Sequence, residues 1–234
     1  MLIDFFNSPE WLETAEIVKT QFLSAIWETL YVTVLSTALA IIIGLPLGVL
    51  LVAGEKGGVL PLPKAVMQAL NVIINLLRSV PFLILMILVF PLTRAIMGTA
   101  VGTAASVVPL TIAAFPFVVR LVESSLREVN PNVIEMAQSM GASPFQIIVK
   151  VMLPESMPSL ISNITIAVTT ILGYTAMSGI IGGGGLGKIA INYGYYRYKY
   201  LVMLLAVVLL IVLVQVFQSV GTALTKKCDK RLKK

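Results

Sequence analysis

Two stretches of this chain carry residues whose types and spacing bear on chemistry. Residues 182–188 read GGGGLGK, which satisfies G-x-G-x-x-G and falls one residue short of a phosphate-binding loop. The residue after Lys188 is Ile189, so the hydroxyl that would hold magnesium is missing. The glycines instead predict a tight turn where helices approach closely. The second stretch, residues 130–154, reads NPNVIEMAQSMGASPFQIIVKVMLP. Its signals are caps. Asn130 followed by Pro131 starts a helix, and Gly141 can end it in the left-handed conformation. Ser143 and Pro144 repeat the start signal, and Pro154 is expected to stop the second helix. A loop that only joins two apolar blocks needs no paired caps, so this one predicts a docking element for a partner.

Missing residues narrow the chemistry further. The chain has no histidine, which removes imidazole catalysis, Ser-His-Asp hydrolysis and histidine metal ligation. No acidic residue lies between Glu155 and Asp229, so the last two apolar blocks hold no intramembrane carboxylate of the kind an ion-coupled carrier uses. Glu123 follows Arg120 by three residues, the spacing of a helix-surface ion pair. Cys228 is the single cysteine, which leaves no internal disulfide to form. Catalytic, cofactor-binding and metal residues are accordingly expected to be none.

The elements that must carry the docking stretch are membrane spans. Hydrophobic residues make up 58% of the chain and charged ones 12%, against about 25% charge in soluble domains. Mean hydropathy is +0.96. Five blocks, at 23–52, 65–97, 104–121, 159–181 and 201–224, approach the roughly 20 apolar residues a spanning helix needs. The second is too long for one perpendicular span, and Pro81 can kink it. Asp4, Glu10, Glu13 and Glu16 near the start argue against a cleavable signal peptide.

Charge orients the spans. The tail KKCDKRLKK at 226–234 is basic and is expected in the cytoplasm. Five spans then put the N-terminus outside and the docking stretch inside. Lys188, Arg197 and Lys199 run against this, since they fall in the outer loop between the last two spans. The expected organisation is an N-terminal extension at 1–22, a membrane domain at 23–225 with docking helices at 130–154, and the basic tail at 226–234. Within the extension, Ser8 and Pro9 can start an amphipathic helix carrying Trp11, Val18 and Phe22 along the outer surface. The basic tail suits anionic headgroups rather than nucleic acid.

Two polar faces stand out inside the spans. Ser162, Thr165, Thr169, Gly173 and Ala176 share one helical face in the fourth block. Such a face permits close packing or lines a wet cavity. Met177 is the bulky apolar member beside it, suited either to gating a pore by excluding water or to filling a core. In the second block Gln68, Asn71, Asn75 and Arg78 recur at three and four residues. That face meets protein or an aqueous vestibule, or else Arg78 merely snorkels.

The docking stretch resembles the EAA loop of ABC-importer permease subunits, whose pattern is EAA, three residues, G, nine residues, I, one residue, LP. Glu135, Ala137, Gly141, Leu153 and Pro154 match it, while Met136 and Val151 are mild departures. Residues 78–85 (RSVPFLIL), 108–126 (VPLTIAAFPFVVRLVESSL), 173–187 (GYTAMSGIIGGGGLG) and 192–198 (NYGYYRY) look like the methionine-importer subgroup. Together the likeness covers residues 27–227.

The resemblance implies an all-α protein of five transmembrane helices with the type I ABC-importer permease fold, in a bacterial plasma membrane. It implies a second copy of the chain, two ATPase subunits holding ATP and magnesium, and an extracytoplasmic methionine-binding protein. No cofactor is expected on this chain. Glu135, Ala137, Gly141, Ser143, Val151, Leu153 and Pro154 become the ATPase-coupling loop. Ser162, Thr165, Thr169, Gly173, Met177 and Arg78 become pathway or gate candidates. The implied substrate is methionine, both D and L. A permease for another amino acid or small polar solute, or a stand-alone secondary carrier, is the alternative. An intramembrane enzyme is disfavoured by the missing histidines.

Overall fold

The computed structural model describes residues 9–229, and every regular element among them is helical. The Ser8 start signal and residues 230–234 of the basic tail lie outside the described residues. In chain order the helices are α1 (Pro9–Ile17), α2 (Leu23–Ala53), α3 (Lys64–Ser79), α4 (Phe82–Leu88), α5 (Phe90–Met97) and α6 (Val107–Arg127). Then come α7 (Pro131–Ser139), α8 (Pro144–Ile147), α9 (Leu153–Ser178), α10 (Gly185–Ile189) and α11 (Tyr200–Cys228). Widened π turns at Val18–Phe22, Ile148–Met152 and Ala190–Tyr195 join or extend neighbouring helices.

Four helical stretches are long and apolar enough to cross a membrane: Trp11–Ala53, Val107–Arg127, Pro144–Ile181 and Tyr200–Cys228. A fifth exists if α3 and α4, bent sharply at their junction, count as one broken span. The α2 segment alone has 31 residues. At roughly 1.5 Å per residue it reaches about 46 Å, beyond a hydrocarbon core of about 30 Å.

Two expectations from the sequence are corrected. Residues 1–22 were expected to hold a separate surface helix. Instead the chain is helical without a break from Trp11 to Ala53. No proline or glycine interrupts residues 11–43, and the π turn at Val18–Phe22 absorbs the irregularity. Phe22 is buried in a core cluster with Leu186 and Val202. Pro154 was expected to stop the second docking helix, yet it lies inside the continuous stretch Pro144–Ile181. The π turn at Ile148–Met152 precedes it, and the Leu153 N–H reaches back to the Ile148 carbonyl. The extra residue in that turn makes room for the proline ring and its missing donor. The second block, expected to exceed one perpendicular span, divides into α3, α4 and α5; Pro81, which cannot supply the next helical N–H, separates α3 from α4 as expected, and Gly98 ends α5 at φ 75°.

The chain divides into two compact units whose boundaries fall inside α2, α6, α9 and α11 and between α3 and α4. The first unit takes in Phe82–Leu110, Thr170–Val216 and the described residues up to Ser36. Its core gathers Ile17, Phe22 and Ala25 with Leu186 and Ile189 of α10 and Val202 and Ala206 of α11. A second cluster sets Val32 on Val107 and Leu110. Beside it Phe82 stacks on Tyr174 with centroids 4.4 Å apart, a contact worth more than its area alone.

The second unit comprises Thr37–Pro81, Thr111–Thr169 and residues from Phe217 onward. Leu51, Ile74 and Val119 form its core. Gly44 and Gly48 sit one turn apart on α2, where α6 comes so near that any Cβ would press on Val118 and Val122. Small residues permit such close helix approach where no water drives association.

Candidate functional site

The docking stretch is an elbow built by its caps. The Asn130 side chain accepts the Asn132 N–H at 3.0 Å and starts α7 with Pro131 in its first turn. At the other end of α7, Gly141 takes φ 76°. Its N–H donates to the Gln138 carbonyl at 2.9 Å, and the Ala142 N–H donates to the Ala137 carbonyl at 3.1 Å. This is the paired closure that a left-handed residue allows, and a β-carbon is penalised there. The four-residue spacing from Ala137 to Gly141 is therefore a requirement of the helix stop. Ser143 and Gln146 then cap α8 reciprocally, backbone to side chain in both directions, at 2.9 and 3.4 Å.

The elbow's outer face is apolar. Met140 is 80% exposed and Phe145 74%, with Met136 beside them. Glu135, Gly141 and Ser143 are exposed too, while Ala137, Val151 and Leu153 are half-buried and Pro154 is exposed. Ile147 and Met152 are buried and root the second arm. Sequence reasoning placed the elbow and passed over the exposed Phe145 and Met140. Their signal was present: large apolar side chains in a stretch whose caps do not need them. Such a patch is a candidate interaction surface, and methionine suits one that must adapt.

The arm continues straight into α9, which carries the small polar face. In its first half Ser162 is exposed, and Thr165 is buried against Gly221 of α11. Thr165 and Thr169 return their hydroxyls to carbonyls of the preceding turn. Here the face serves close packing. In its second half Gly173 looks onto open space and Met177 is 41% exposed. The face is therefore not one surface: Thr165 packs, whereas Gly173 and Met177 are left uncovered in this chain.

The polar face of α3 is resolved into one cluster. Arg120 of α6 donates to Asn71 and Asn75, both at 2.9 Å, and to Glu123 at 2.6 Å. Arg127 donates to Glu123 at 2.8 Å and grips Glu55 through both terminal nitrogens. Asn71 and Asn75 thus meet Arg120 of the same chain, one of the alternatives the spacing left open, and the Arg120–Glu123 pair forms. Glu123 is held from two sides and is not free to shuttle protons. Gln68 and Arg78 are exposed and stand outside this cluster.

The glycine stretch is a turn, not a phosphate cradle. Three of its backbone donors are already used. The Gly185 N–H donates to the Glu28 carboxylate at 2.7 Å and the Leu186 N–H to the Thr29 hydroxyl at 2.9 Å. Gly183 donates to the Ser178 carbonyl and Gly182 accepts from Gly102. Glu28 and Thr29 are residues that sequence reasoning missed. A carboxylate inside an apolar block was the available signal. Nearby, Lys199 pairs with Glu13 and Arg197 lies 5.0 Å over the Tyr193 ring, so these two basic side chains are engaged by the protein itself.

Residues 44–232 match the family model described as binding-protein-dependent transport system inner membrane component. A probable D-methionine transport system permease protein of Vibrio cholerae is 50% identical over 210 residues, covering 89% of this chain and 92% of that protein. The D-methionine transport system permease protein of Escherichia coli K12 is 44% identical over 154 residues. Among solved structures, a native crystal form of the methionine ABC transporter MetNI in inward-facing conformations superposes with a TM-score of 0.89. That match has 40% identity and covers 92% of this chain and 99% of the other. A bacterial alginate ABC transporter shares the fold at 17% identity and a TM-score of 0.65.

Proposed function

The chain belongs to the binding-protein-dependent transport system inner membrane components, and from that membership we propose that it is the permease of an ATP-driven methionine importer. It is a multi-pass inner-membrane protein, and the ATPase of such systems is a separate subunit. Two copies of the chain pair in the membrane. Two ATPase subunits, which hold ATP and magnesium, seat the elbow formed by Glu135, Ala137, Gly141, Ser143, Val151, Leu153 and Pro154. An extracytoplasmic methionine-binding protein delivers D- or L-methionine to the outer face. Five crossings, with α3 and α4 as one broken span, put the N-terminus outside and the basic C-terminus in the cytoplasm. Engagement of Lys199 and Arg197 within the protein supports this orientation despite their charge.

The observation that carries the reading is the exposed elbow running without interruption into α9. A push on Phe145 acts on a continuous helix rather than on a loop. That helix carries the uncovered Gly173 and Met177, so nucleotide binding elsewhere can bias which side of the pathway is open. Alternating access follows from two such states. Ser162, Thr165, Thr169 and Arg78 complete the pathway set, Thr165 as the packing hinge against Gly221.

The test is uptake of labelled methionine into proteoliposomes holding the chain, its ATPase and the binding protein. Uptake is expected to need ATP and to be competed by D- and L-methionine but not by other amino acids. ATP-independent accumulation by the chain alone would sink the proposal, and equal competition by an unrelated amino acid would remove the substrate assignment. In the same vesicles Met177→Ala is expected to raise passive methionine leak several-fold, because an unbranched apolar plug keeps the closed state dry. Unchanged leak removes the gate role of Met177.

A further inference from the structure

A cavity of about 790 Å³ opens beside the link between α2 and α3, and the function above does not use it. One part of its lining is cationic: Lys56 and Lys64, exposed and without an ion pair among the described residues. Gln68 adds an uncommitted amide. Leu62, Met67 and Val72 supply an apolar wall. The one carboxylate at its edge, Glu55, is already neutralised by the two-nitrogen grip of Arg127. The cavity therefore presents two unbalanced positive charges next to hydrocarbon.

Its place in the fold specifies the occupant. The cavity lies where α2 ends and α3 begins, at the boundary of two apolar segments. From there Val72, Ile73 and Leu76 continue along α3 as exposed side chains. A ligand that fits needs an anionic head for the lysines and a chain for the apolar track. We propose that this cavity seats the phosphate headgroup of an anionic phospholipid, with an acyl chain laid along α3. Basic pockets between membrane helices recognise lipid headgroups in this way. Lysine suits the task because it acts as a point charge that follows a mobile phosphate. The proposal needs only that the chain spans a membrane, so it stands apart from the substrate and partner assignments.

The test is native mass spectrometry of the full-length chain, with its copurifying subunits, in detergent carrying phosphatidylglycerol or phosphatidylcholine. Wild type is expected to retain phosphatidylglycerol over phosphatidylcholine. Joint replacement Lys56→Gln and Lys64→Gln is expected to weaken that retention about thirtyfold. Lys19→Gln, another exposed lysine, should leave it unchanged. A matching melting curve shows that the double variant is folded. Should it not fold, each single variant is measured, with a loss of about fivefold expected. Equal retention of both lipids by wild type, or undiminished retention by folded variants, overturns the proposal. So does displacement by excess soluble glycerophosphate, which would assign the lysines to a free phosphate. Absence of any bound lipid, with Lys56 protected from labelling only when a protein subunit is present, assigns the cavity to that subunit and overturns it equally.

Discussion

Gly141→Asp is expected to leave the chain folded and to cut ATP-coupled uptake by about a hundredfold or more, the cost of a desolvated unpaired charge at an interface. Two properties of the position produce this separation. The backbone there is left-handed at φ 76°, and nothing lies within 4 Å of where a Cβ would stand. Aspartate is among the residues that tolerate this conformation, so the intramolecular cost is about 1 kcal/mol. The new carboxylate would stand in open space on the elbow that carries the exposed Met140 and Phe145, and it would be buried there by the proposed ATPase. A buried charge without a partner is strongly disfavoured. Gly141→Asn is the control, with the same backbone tolerance and no charge, and should keep most of the coupling. Uptake and copurification of the ATPase are read together. If the aspartate variant binds its ATPase and transports normally, the elbow is not the seat.

The elbow was legible in the sequence because caps are local chemistry. Asn130, Gly141 and Ser143 each act on backbone groups within a few residues, and all three do so in the structure. The Arg120–Glu123 pair was legible for the same reason. Pro154 was misread because its effect depends on the preceding turn. A helix that widens at Ile148–Met152 tolerates a proline that an ideal one would not. The length of the first helix was hidden by polar residues such as Lys19 and Gln21, which read as a break between extension and span. Gln21 is held from far along the chain, donating to the Tyr193 hydroxyl at 2.6 Å. The division of the α9 face was equally invisible, because only the position of Gly221 decides that Thr165 packs while Gly173 stays open. Local signals acting over a few residues were readable in the sequence, and contacts set by distant tertiary partners were not.

Gly187→Ala is expected to give no stable protein, the opposite outcome for a smaller change. At Gly187 an added methyl would overlap the carbonyl, Cα and carbonyl oxygen of Ala176. All three are backbone atoms of α9, so no rotamer can move aside. The two helices would have to part by about an ångström in an interior packed like a crystal. Parting them strains the bonds from Gly185 to Glu28 and from Leu186 to Thr29 and uncovers Leu186, which is fully buried. Overpacking together with broken buried hydrogen bonds belongs to the small class of changes that cost more than about 4 kcal/mol. Gly173→Ala on the same α9 is the comparison. With nothing within 4 Å of its Cβ, it should stay within about 1 kcal/mol of wild type or gain slightly from helix propensity. Detergent-solubilised yield, gel-filtration profile and melting temperature distinguish the two. A Gly187→Ala chain that melts with wild type would mean that α9 and α10 are not in backbone contact, and the glycine turn would then need another explanation.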